Sequence, residues 1–132
     1  MVGDLRIFVS ALITIVVVQA IKLWWYSSGG KGVAWKEAFA DGGIISAHSA
    51  IVSALCFSVY FAEGISNLFF VSLVFAMIVL RDAVGVRRIA KENAVILDKK
   101  FKLKRNIKEG HSVAEIFWGI LVGGIVSALV VV

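Results

Sequence analysis

The stretch from Ile44 to Val84, IISAHSAIVSALCFSVYFAEGISNLFFVSLVFAMIVLRDAV, decides the fold of this chain. Two apolar runs, at about 44–62 and 65–84, are parted only by Glu63-Gly64-Ile65-Ser66-Asn67. Each run approaches the ~20 residues that a helix needs to cross a bilayer, and so short a polar break predicts a helical hairpin.

Outward from the hairpin lie two more runs of this kind, at about 5–26 and 113–132. The first closes on Trp24, Trp25 and Tyr26, amphipathic rings that suit a membrane interface. Asp4 precedes it and no Ala-x-Ala-like cleavage site follows, which separates it from a signal peptide. With 60% hydrophobic and 17% charged residues, and a mean hydropathy of +0.92, the composition excludes a soluble globule. The expectation is all-α: one integral membrane domain over 1–132, a bundle of about four transmembrane helices plus a basic amphipathic interfacial helix. Cys56 is the only cysteine, so no disulfide framework or cysteine metal site forms within one chain.

Charge sets the orientation. Of 14 Lys and Arg, only Arg6 lies at the amino-terminal end of the first span; Lys22, Lys31 and Lys36 fall at or beyond its other end, and the rest lie between Arg81 and Lys108. Four spans put the loops after the first and third on one side, and the positive-inside rule makes that side cytoplasmic, in the plasma membrane. The net charge of +5 is then topology plus attraction to anionic headgroups rather than affinity for nucleic acid. Between Val86 and Lys108, Val86, Ala90, Ala94, Leu97 and Phe101 recur at helical spacing among Arg87, Lys91, Lys99, Lys102 and Arg105. This pattern predicts an amphipathic basic helix, either solvated at the interface or guiding an anionic lipid.

The same topology brings the charged ends of the spans to a common level. Lys22 ends the first, His48 begins the second, Arg81, Asp82, Arg87 and Arg88 follow the third, and His111 with Glu115 begins the fourth. Ionisable groups at such a position mark a functional site by default. His111 and Glu115, four residues apart, would share a helix face, so that the carboxylate orients the ring. Around His48, Ser46, Ala50 and Ala54 form a small-residue ridge for close helix packing, and Gly119 and Gly123 form another in the last span. Those ridges also offer a surface for a homo-oligomer. Lys22, Arg87 and Arg88 supply positive charge; Asp82 pairs with the arginines, orients one of them, or holds a metal. Two histidines, a carboxylate and several cations are the parts that phosphoryl transfer through a histidine requires.

In order along the chain, Gln19-x-x-Lys22, Gly42-Gly43-x-x-Ser46-x-His48-Ser49-Ala50, Asp82-Ala83-x-Gly85-Val86-Arg87-Arg88 and Gly110-His111-x-x-x-Glu115-x-x-x-Gly119 resemble a divergent membrane family. That family is related to acid phosphatases and vanadium-dependent haloperoxidases and is a distant branch of the type 2 phosphatidic acid phosphatase superfamily. The resemblance implies metal-independent hydrolysis of a lipid or isoprenoid phosphate ester through a phosphohistidine, with no cofactor. It makes His111 the nucleophile, Glu115 its orienting carboxylate and His48 the acid for the leaving group, with Lys22 and either Arg87 or Arg88 binding phosphate, helped by Ser46, and Asp82 supporting. Ile45-Ser46-Ala47 stands where the family usually has Pro-Ser-Ser, Glu115 where the superfamily generally has Asp, and Arg87 is unusually far from His111. Two alternatives stand beside this reading: a catalytically inactive membrane scaffold with an anion or headgroup pocket, and a metal or ion site built from His48, Asp82, His111 and Glu115.

Overall fold

The computed structural model describes residues 2–28, 44–102 and 112–132, with the backbone alone at 2–4, 87, 88 and 91. It is all helical among these residues: α1 (Val2–Ser28), α2 (Ala47–Glu63), α3 (Asn67–Val84), α4 (Val86–Phe101) and α5 (Val113–Val131). Helices α1, α3 and α5 are long and apolar enough to cross a membrane. The 17 residues of α2 rise about 26 Å, close to the thickness of a hydrocarbon core.

The hairpin forms as its sequence predicts. Gly64 ends α2 at φ +69°, a conformation costly to any residue with a Cβ, and its N–H donates to the Tyr60 carbonyl at 2.8 Å. Ser66 then caps α3 by accepting the Phe69 N–H at 3.1 Å while its hydroxyl donates to Glu63 Oε2 at 2.9 Å. Tyr60 and Phe69 meet at a tilt across the turn, centroids 5.5 Å apart with their planes at 53°. At the other end of α3 only Gly85 separates it from α4. Of the 86–108 segment expected to be helical, α4 takes Val86–Phe101, with Lys102 in the left-handed region at φ 53°, and 103–108 lie outside the described residues.

The bundle is inverted relative to a water-soluble protein. Leu5, Phe8, Val16, Phe70, Val71, Ile78 and Leu129 are exposed, whereas Ser10, Thr14, Ser46, Ser49, Ser58 and Ser127 are fully buried. Lipid tails satisfy the first set; the second must find partners inside. Helix α2 is the hub, packing on α1, α3 and α5.

Three ridges of residues spaced by four meet on its inner side. They are Ser10, Thr14, Val18 and Lys22 of α1, Ser58, Ala54, Ala50 and Ser46 at α2, and Ser127, Gly123, Gly119 and Glu115 of α5. The expected ridges of small residues on α2 and α5 therefore pack against each other. Gly123 lies against the backbone of Ala50 and Ala54, and Gly119 against Ser46 and Ala50. At the far end the Ser10 and Ser58 hydroxyls are 2.6 Å apart, with Ser127 Oγ at 3.4 Å from Ser10 and 2.8 Å from the Ala54 carbonyl. Hydrogen bonds of this kind within membranes average about 0.6 kcal/mol, so close backbone packing contributes more to holding α2 on α5 than the hydroxyls do.

Candidate functional site

The ridges fix the depth of the predicted residues. Starting from the contact of Ser10 with Ser58 and Ser127, twelve residues along α1 leads to Lys22, twelve back along α2 to Ser46, and twelve back along α5 to Glu115. Equal steps at equal rise bring these three to one level. On the hairpin, thirteen residues beyond Phe69 is Asp82 and thirteen before Tyr60 is Ala47. Asp82, half-buried in the last turn of α3, shares the level too. His48, half-buried, stands in the first turn of α2.

One backbone bond joins the two histidine motifs. The Ser46 N–H donates to the Glu115 carbonyl at 3.1 Å, so α2 and α5 start side by side and run parallel. Around this bond Ile45, Val18 and Ala50 make a buried apolar cluster with Ile21 and Val122, which seats the end of α1 against the start of α2. Lys22, directly beyond, is only 3% exposed. A cation so shielded from solvent inside a bundle is expensive and marks a polar site.

Both motif ends are capped from their own sequences. Ser46 Oγ accepts the Ser49 N–H at 3.3 Å and the Ser49 hydroxyl at 2.8 Å, so the proposed phosphate-binding Ser46 is the N-cap of α2. Ser112 caps α5, accepting the Glu115 N–H at 3.2 Å, while Glu115 Oε2 accepts the Ser112 N–H at 3.3 Å. Ser112 and Glu115 thus form a capping box at the start of α5, which begins at Val113; the expected pairing of Glu115 with His111 falls on a residue outside the described ones. His111 itself lies outside the described residues, as do the side chains of Arg87 and Arg88, whose backbone forms the first turn of α4.

Two residues join the level without having been singled out as site residues. Ser49 is fully buried on Ser46. Gln19, three residues before Lys22, has its side-chain carbonyl oxygen buried with no hydrogen-bond partner among the described residues. A buried carbonyl in that condition calls for a donor, and the Gln19-x-x-Lys22 spacing was the legible signal for it. Among the described residues no three of His, Cys, Asp and Glu come together as metal ligands.

The family model described as the divergent PAP2 family matches residues 4–126. The chain is similar to the uncharacterized membrane protein YuiD of Bacillus subtilis (strain 168), 33% identical over 136 residues that cover 86% of either chain. No solved structure matches.

Proposed function

This integral membrane chain belongs to the divergent PAP2 family, and from that premise we propose that it is a phosphatase-like enzyme. Its substrate is a lipid or isoprenoid phosphate ester met at the cytoplasmic interface. In the proposed reaction a ring nitrogen of His111 attacks phosphorus and the P–O bond to the alcohol breaks. His48 gives its proton to the departing oxygen, and water then cleaves the P–N bond, releasing phosphate and restoring His111. Lys22 and either Arg87 or Arg88 offset the charge on the phosphoryl oxygens, helped by Ser46 and with Asp82 supporting. Glu115 is the carboxylate that orients the His111 ring for attack.

The observation that carries this reading is the shared level of Lys22, Ser46, Asp82 and Glu115 at the joint between the two histidine motifs. Its test is to capture the intermediate. Purified in detergent and given a radiolabelled lipid phosphate, the chain is expected to turn it over undiminished by chelator and to carry an acid-labile, alkali-stable protein phosphate. Binding of inorganic phosphate with no turnover of any lipid or isoprenoid phosphate would overturn the enzyme reading in favour of an inactive scaffold.

The buried cation gives a second expectation. A hydrogen bond to a charged group contributes about 1.5–3 kcal/mol, so Lys22→Met is expected to weaken inorganic phosphate binding roughly tenfold or more, measured by titration calorimetry in micelles. Unchanged affinity would remove Lys22 from the phosphate site.

A further inference from the structure

Helix α4 leaves the bundle and keeps an apolar face uncovered. Among the described elements it packs on α3 alone, and Val86, Ile89, Ile96, Leu97 and Phe101 are each more than half exposed. At 3.6 residues per turn Val86, Ala90, Leu97 and Phe101 fall within an arc of about 60°, with Ile89 and Ile96 beside it. Left in water, such a face would be an aggregation surface.

Three observations name what covers it. Gly85 alone connects α4 to the membrane-crossing α3, so α4 starts where the bilayer ends. Trp24 and Trp25, 67% and 54% exposed, stand just beyond Lys22 on α1, at the depth where α3 gives way to α4, and exposed indoles favour that depth. The helix is also basic where it is amphipathic: Lys99 and Lys100 occupy its last turn and Lys102 caps it. The Lys100 ammonium sits 5.9 Å from the Phe101 ring centroid, and at 3.6 residues per turn Lys100 falls between Ile96 and Val86 on the apolar face itself, where a lysine stem lies along apolar surface and carries its charge to a headgroup. A neutral protein groove would match the apolar residues but not this lysine; an anionic bilayer surface matches both.

We infer that α4 is an interfacial helix, docked by its apolar face on the bilayer and held by its lysines on anionic lipid headgroups. Docked in this way, it keeps the backbone of Arg87 and Arg88 at headgroup depth. The inference concerns the bilayer surface and does not rest on the phosphatase reading.

The test uses the full chain in nanodiscs of phosphatidylcholine, with or without phosphatidylglycerol. An environment-sensitive dye is placed at Ile96→Cys, Leu97→Cys or, as a polar-side control, Asp98→Cys, in a Cys56→Ala background. At Ile96 and Leu97 the dye is expected to be quenched by brominated acyl chains and shielded from acrylamide, with the reverse at Asp98. Phosphatidylglycerol should strengthen the acyl-chain quenching, and Lys99→Glu with Lys100→Glu should abolish that gain. Acrylamide access at Ile96 and Leu97 in both bilayers would overturn docking. Shielding from both quenchers would overturn it too, since a second copy or another protein surface would then cover the face. Equal acyl-chain quenching in both bilayers would overturn the headgroup assignment.

Discussion

A Gly123→Leu chain is expected to lose the assembled bundle, whereas Gly124→Ala, one residue on, leaves it nearly unchanged. A Cβ at Gly123 would meet the Ala50 carbonyl oxygen and come within 2.9 Å of the Ala54 nitrogen. Both are backbone atoms of a helix held on three sides, and neither can rotate away. At Gly124 the nearest atoms belong to the Phe57 ring at 3.3 Å, on a partly exposed side chain that can swing toward lipid. Overpacking costs about 1–3 kcal/mol where neighbours yield, so a leucine against unyielding backbone exceeds that range and takes up much of the ~5–15 kcal/mol that holds a domain together. Thermal unfolding in detergent, followed by tryptophan emission, would show it; a cooperative transition within a few degrees of wild type for Gly123→Leu would refute the backbone contact.

The second large effect separates the two histidines by the alcohol they release. His111→Ala should abolish both turnover and the trapped protein phosphate for every ester, because no P–N bond can form without the ring. His48→Ala should cost roughly 10²–10⁴-fold with an alkyl phosphate, the usual contribution of a general acid, yet little with an aryl phosphate whose phenolate leaves unaided. Steady-state rates on paired alkyl and aryl esters would measure both. Equal losses for the two esters in His48→Ala would remove the acid assignment, and a His111→Ala chain with full activity would remove the nucleophile.

Much of the fold was legible because a bilayer constrains sequence so strongly. The apolar runs and the Glu63–Asn67 break gave the helices, and Ser46, Ala50 and Ala54 with Gly119 and Gly123 announced a close approach. What stayed hidden was the partner face on α1: Ser10, Thr14, Val18 and Lys22 share no size or polarity, and a lone hydroxyl in an apolar run does not declare which way it points. The start of α5 is different. Ser112-x-x-Glu115 is a readable capping-box pattern, and the helix takes it up by beginning at Val113; the reading that used the same glutamate four residues after His111 rests on a residue outside the described ones.

The glycine joint has a consequence for how this family diverges. Because Gly123 touches backbone rather than side chain, no smaller residue opposite it can compensate an enlargement; size exchange, the common route by which packed pairs drift together, is closed there. A relative would have to keep Gly119 and Gly123 small in order to fold, whatever becomes of the proposed chemistry. Among relatives, then, retention of the glycines reports only that the bundle is inherited.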